Sequence, residues 1–375
     1  MNNKPRAREL GLPLPGTPGT YNAITDVPGV EVGYCTVTMG APEDYTGPGS
    51  PFARTGVTAI LPRGHRRSAC FVGRHDLNGN GELTGTHWMD DSGFLHGPVM
   101  ITNTNSVGVV RDTTTQWMVE NRFFHPLVMD GETIADCGYF YPAVGETWDG
   151  MLNDINGFHV KPEHVLQALE SAKGGPVAEG NVGGGAAMQC HGFKGGTGTA
   201  SRVVEERYGG YTVGVLVQAN HGARDKFQIA GVPLGLEIQG AQQVWNSPKV
   251  KDGTGSIIVV VATDAPLLPH QLKKLCKRVP IGIGLLGGGY ESGSGDIFLA
   301  FSTANENAYT ATTTTIQILG DDCMDPLYKA TAEAVEEAIL NAMCAAETMV
   351  GRDGNTLFAL PTDQVVALLQ KHGKL

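Results

Sequence analysis

Ser256 stands where a small-residue turn, Asp252 to Gly255, runs into a continuous apolar, β-branched stretch, Ile257 to Val261. That stretch does not alternate and is too short for a helix, so it reads as a strand covered on both faces, with the serine at its end. A cavity can meet a sheet at such an end. Gly253 and Gly255 flank Thr254, and glycine admits strained or positive-φ backbone closed to other residues. Strain at Gly255–Ser256 favours attack by the Ser256 hydroxyl on the preceding carbonyl. The products are two chains, 1–255 and 256–375, the second with a free α-amine beside its own hydroxyl. An α-amine titrates near neutrality, so it can act as the base that activates that hydroxyl. The same residues also fit a plain hairpin turn leading into an edge-capped strand, and this stretch alone leaves both readings open.

Other groups offer complementary chemistry. Asn220 ends the strand pattern Tyr211 to Gly222, where its amide can donate to an oxyanion or simply satisfy a turn. Ser294 and Asp296, and Ser292 before them, precede another apolar run; a hydroxyl and a carboxylate two residues apart on extended chain can hold an ammonium or relay a proton. Glu146, Asp149 and Asp154 crowd a short loop, which suits either a bound amine or a solvated acidic surface. Cys190 beside His191 resembles a nucleophile and base, but neighbours on a strand face opposite ways, so the cysteine reads as structural. Asp76, Asn78, Asn80 and Gly81 match early places of a calcium loop, yet His87 holds the place of the bidentate Glu, so the segment is a Gly-rich bend. His87, Trp88 and His96 in the polar loop beyond it have the types of a pocket lining and the pattern of ordinary loop residues. Gly282 to Gly287 matches GxGxxG without a helix after it, and no Walker spacing occurs, so nucleotide binding is not expected.

These groups need a framework, and the chain is long enough to supply one. With 375 residues and a strand-rich pattern, one large domain is expected. A net charge of −11 without a basic stripe argues against nucleic acid and anionic membrane as partners. The seven scattered cysteines show no CxxC pair or metal-ligand spacing, which suits reduced thiols in a cytoplasm-like compartment. No apolar leader or membrane-span run is present, so a soluble, unexported protein is expected, or a periplasmic one if the numbering is that of a mature form. Residues 1–29 read as a wrapping arm, followed by strands at 30–38, 56–62 and 69–73, and 98–108 as a strand followed by a polar turn. Helices are expected from Arg111, from Pro162, over Pro269–Arg278, over Pro326–Thr348 and near the end, while Ile281–Leu286 should resume the sheet and 223–254 should be loop.

The segment DGTGSIIVVVATDAPL, with LGLPLPGTPGTYNAITDVPGVEVGY before it and SGSGDIFLAFST after it, resembles the DmpA-type aminopeptidases, which include β-peptidyl aminopeptidases and L-aminopeptidase/D-amidases. The resemblance implies a four-layer αββα sandwich, layered like the amino-terminal-nucleophile hydrolases but with its own connectivity. It implies cleavage between Gly255 and Ser256, Ser256 as nucleophile, and Asn220 at the oxyanion. It assigns Glu146, in GET(aromatic)DG, to the substrate's amino terminus, and Ser294 with Asp296 to the second serine and acidic residue. Trp148 fills an aromatic place that is often Tyr, and an indole donates but cannot give up a proton as an acid would; Asp296 is shorter than the Glu seen in some members. The implied substrate is a small peptide, amide or ester with a free amino terminus, the implied assembly a homo-oligomer of processed pairs, and no metal or organic cofactor is needed. The competing functions are acyl transfer of the ornithine acetyltransferase type, whose nucleophile is threonine, and an unprocessed binding protein on the same fold.

Overall fold

The computed structural model describes residues 4–123, 127–129, 132–134, 138–247, 255–310 and 312–375. The strands of its two main sheets are β1 (Glu31–Met39), β2 (Ala53–His65), β3 (Cys70–Gly79), β4 (Phe94–Leu95), β5 (Val99–Asn103), β6 (Ala143–Thr147), β7 (Gly196–Val203), β8 (Thr212–Asn220), β9 (Ser256–Thr263) and β10 (Gly295–Ser302). Its helices are α1 (Thr86–Ser92), α2 (Val107–Glu120), α3 (Pro162–Glu170), α4 (Leu234–Glu237), α5 (Pro269–Cys276), α6 (Val279–Leu285), α7 (Asp325–Ala345) and α8 (Thr362–Lys371). One sheet runs β1-β2-β5-β6 and the other β7-β8-β9-β10-β3-β4. Pairing is antiparallel except at β5/β6 and β9/β10.

The absence of alternation in Ile257–Val261 is explained by layers on both sides. Ile257, Val259 and Val261 join a cluster with Leu272 and Leu275 of α5 and Val335 and Ile339 of α7. Ile258, Val260 and Ala262 face the other sheet, meeting Ile60, Val99, Ile101 and Ala143. Each valine, leucine or isoleucine among these contributes roughly 1.5–3 kcal/mol by leaving water. A third cluster packs Val57, Met100 and Val144 against Val110 and Trp117 of α2 and Val165 and Leu169 of α3. The order is helices, sheet, sheet, helices, the expected αββα sandwich. β9 is an interior strand, with β8 on one side and β10 on the other.

The opening arm is fastened by its arginines: Arg6 pairs with Glu179 (2.7 Å) and Arg8 with Glu337 of α7 (2.9 Å). Two expectations fail locally. Ile281–Leu286 does not resume the sheet; most of it is α6, which Pro280 opens in its first turn. The glycines that weaken a helix signal there serve packing, since a methyl on Gly282 would sit 2.5 Å from the Ala332 carbonyl of α7. His87 and Trp88 lie on the short helix α1 rather than in a loop. The segment after Ala223 is loop apart from α4, and residues 248–254, including Gly253 and Thr254 of the turn before Ser256, lie outside the described residues.

Candidate active site

Three adjacent strands bring the predicted groups to one end of the larger sheet. Asn220, last in β8, is in register with Ser256, first in β9, and Ser256 is in register with Gly295, first in β10. The Gly295 N–H donates to the Gly255 carbonyl (3.1 Å), so the peptide before Ser256 is held at the sheet's end. The glycine at 255 is required by closeness, because a methyl there would meet the Asn220 carbonyl at 2.0 Å. Ser256 is buried, and among the described residues its hydroxyl has no hydrogen-bond partner. By alternation it shares the face of Ile258 and Val260, turned toward the other sheet.

The Asn220 amide is fixed at both ends. Its Oδ1 accepts from the Gln189 N–H (2.8 Å) and its Nδ2 donates to the Trp148 carbonyl (2.9 Å), leaving a second N–H free. Trp148 thus enters through its main chain, while its indole is 36% exposed and lies against Gly150. Ser294 donates to Asp296 Oδ1 (2.7 Å), and Asn78 donates to Asp296 Oδ2 (3.0 Å). Burial raises the Asp296 carboxyl pKa against the opposing pull of those two bonds. Ser292, by contrast, is exposed.

Glu146 lies on β6, beside the strand end Thr102–Asn103 of β5. Its Oε1 accepts from the Glu82 N–H (3.0 Å) and its Oε2 from the Thr104 hydroxyl. Burial raises its pKa too, opposed by those bonds. Gly81 joins this carboxylate to the nucleophile strands: a methyl on it would lie 3.0 Å from Glu146 Oε1 and 3.6 Å from the Gly295 Cα. The predicted crowding of Glu146 with Asp149 and Asp154 does not occur, because each acid has its own partners. Asp149 is buried and bonded to Asn153 (3.0 Å), with its carboxyl pushed up to about 7 by desolvation, and Asp154 meets His159 (2.9 Å).

Sequence reasoning missed Gln189, Thr104 and the role of Asn78, each a partner distant in the chain. The bend whose Asn78 and Gly81 have calcium-like spacing holds Asp296 and covers Glu146. Cys190 and His191 also depart from expectation. They sit on a hairpin, Gln189–Cys190 against Phe193–Lys194, in which His191 adopts a left-handed backbone (φ 47), so strand alternation does not separate them. Their polar atoms converge with those of His221. Burial pushes the Cys190 thiol up to about 12 and His191 down to about 4, which disfavours the thiolate–imidazolium pair of a cysteine nucleophile.

Known proteins share this fold and much of this sequence. A β-peptidyl aminopeptidase, BapA, from Sphingosinicella microcystinivorans is 49% identical over 99% of this chain and 93% of its own. The L-aminopeptidase D-Ala-esterase/amidase of Ochrobactrum anthropi, described as a prototype of the serine aminopeptidases and a new variant of the Ntn hydrolase fold, superposes with a TM-score of 0.88 at 47% identity, covering 99% of this chain and all of that one. A Burkholderia sp. β-aminopeptidase superposes with a TM-score of 0.84 at 44% identity, over 98% of this chain and 99% of that one. Residues 22–357, which carry every site group described above, match peptidase family S58, and the chain belongs to that family.

Proposed function

We propose that this hydrolase is a serine aminopeptidase that matures by cutting its own Gly255–Ser256 bond and then releases amino-terminal residues, β-amino acids among them, from short peptides, amides or esters. In maturation the Ser256 Oγ attacks the Gly255 carbonyl carbon and the C–N bond breaks as nitrogen takes a proton, leaving an ester. Water then hydrolyses that ester, giving a carboxylate on Gly255 and an α-amine on Ser256. In turnover the α-amine takes the hydroxyl proton as Oγ attacks the substrate carbonyl, and returns it to the departing amine. The free N–H of Asn220 holds the oxyanion. The Ser294–Asp296 pair positions the amine, Glu146 receives the substrate's ammonium, and water resolves the acyl-enzyme. The scheme uses no metal or organic cofactor.

The observation that supports this reading is the register of Asn220, Ser256 and Gly295, which puts the amide donor, the hydroxyl and the strand start that carries the Ser294–Asp296 pair at one end of one sheet. The likeness to enzymes named for β-peptide, L-aminopeptide and D-Ala-ester cleavage supports the substrate class. Intact mass and amino-terminal sequencing test it: fragments beginning at Met1 and Ser256 are expected, and Ser256→Ala should stay a single inactive chain. A fully active uncut chain, or normal cutting of Ser256→Ala, would refute it. Processed pairs are expected to associate as a homo-oligomer, which light scattering checks.

A further inference from the structure

We propose that Cys190, His191 and His221 form a buried site for a soft d10 metal ion, Cu(I) in preference to Zn(II), which clamps the two segments holding the Asn220 amide. The conventional sequence signature is absent, since two ligands are adjacent and the third follows 31 residues after the cysteine. One ligand atom from each residue lies within 4.8 Å of the others, and the trio is the only such group among the described residues. The Cys190 Sγ lies 3.9 Å from His221 Nδ1. With metal–sulfur and metal–nitrogen bonds of about 2.3 and 2.05 Å, trigonal coordination needs a separation of about 3.8 Å. A small inward shift of the remaining ligand closes the site.

The His191 tautomer favours it. His191 Nδ1 lies 3.3 Å from the Ala223 carbonyl, which can only accept, so Nδ1 carries the proton and Nε2 keeps its lone pair. That Nε2 is buried and has no hydrogen-bond partner among the described residues. On His221, Gly288 packs against the other edge of the ring, where a methyl would lie 3.1 Å from Nε2, so Nδ1 is the nitrogen turned toward the sulfur.

Charge selects the ion. One thiolate and two neutral imidazoles balance Cu(I), whereas Zn(II) leaves a net positive charge in a buried site. The same hairpin already carries buried Lys194, its ammonium bonded to the Gly195 carbonyl (2.9 Å). Three ligands, with no fourth among the described residues, also suit Cu(I) better than tetrahedral Zn(II). The site adjoins the catalytic amide on both sides: Cys190 follows Gln189, whose N–H holds Asn220 Oδ1, His221 follows Asn220, and the His191 N–H donates to the His221 carbonyl (2.8 Å). Binding therefore cross-links the two segments and should raise Tm.

The test loads the full, processed protein anaerobically with Cu(I) and challenges it with bicinchoninate. The wild type should retain a single equivalent, and X-ray absorption should show one sulfur and two nitrogen neighbours. Cys190→Ser should weaken retention at least about tenfold, a loss of roughly 1.4 kcal/mol. His191→Asn should do the same while keeping a donor for Ala223 and a residue tolerant of the left-handed backbone. Zn(II) should bind more weakly than Cu(I) and raise Tm less. Complete transfer of wild-type copper to the chelator, a metal shell without sulfur, or equal retention by folded Cys190→Ser would each overturn the proposal; the first two readings need no variant to fold.

Discussion

Replacing Asn220 with alanine separates two effects that share one side chain. Its free N–H is the proposed oxyanion donor, and losing one such donor costs about 10²–10³ in kcat, roughly 2.7–4 kcal/mol. The same amide accepts from the Gln189 N–H and donates to the Trp148 carbonyl, at 2.8 and 2.9 Å. Truncation leaves both main-chain groups short of a partner, at about 1–3 kcal/mol each where water does not replace it. The variant should therefore melt several degrees lower and also turn over slowly. The kinetic signature tells the effects apart. An interaction made only with the oxyanion changes kcat and kcat/KM together and leaves KM nearly unaltered. The assay is steady-state hydrolysis of an amino-acid p-nitroanilide, with rates divided by the concentration of the fragment beginning at Ser256, since slow maturation would otherwise imitate slow catalysis. A fully processed Asn220→Ala enzyme with unchanged kcat and a lowered Tm would refute the oxyanion role and leave the amide as a brace.

Glu146→Gln should lower kcat/KM for free-amine peptides about 10- to 100-fold, the scale of one charged hydrogen bond, while N-acetylated peptides, already poor, change little. Comparable wild-type kcat/KM for blocked and free peptides would refute amine recognition by Glu146. Because burial raises the Glu146 pKa, acidification should remove the carboxylate at a higher pH than for an ordinary glutamate; the resulting fall in kcat/KM should be missing from Glu146→Gln. Asp149, with its carboxyl near 7, keeps a proton that the unfolded chain has released above about pH 4. Its contribution to stability is thus full below the unfolded value and lost as pH rises through the folded one. The slope approaches about 1.4 kcal/mol per pH unit, and denaturant titrations of Asp149→Asn should show it flattened.

The parts of the site visible in the sequence were those marked by a local conflict of residue type. A serine opening an apolar run, and an acid and a hydroxyl crowding the start of another, are unusual enough to be read one segment at a time. What joins them was not visible. The register of Asn220 with Ser256, the Thr104 and Glu82 bonds to Glu146, and the Asn78 bond to Asp296 span separations that no local period encodes. The helix over Val279–Leu285 was hidden because Gly282 lowers helix propensity while serving close packing on α7. The convergence of Cys190 and His191 was hidden because a single left-handed residue, His191, cancels the alternation on which strand reasoning depends.

The interior position of β9 has a consequence for the protein after the proposed cut. β9 and β10 would belong to the fragment beginning at Ser256, yet their neighbours in the sheet, β8 on one side and β3 on the other, would belong to the fragment ending at Gly255. Neither fragment would own the larger sheet whole, or either of the two clusters packed on its faces, and α7 would remain tied to the opening arm of the other chain through Arg8 and Glu337. The pair would behave as an interlocked object rather than as two partners in exchange. Dilution should not part them short of unfolding, and fragments expressed separately should fail to assemble unless they fold together. Once separated by denaturant, they would have lost the covalent connection that made first folding an intramolecular event, so maturation would be a step the molecule can take only forward.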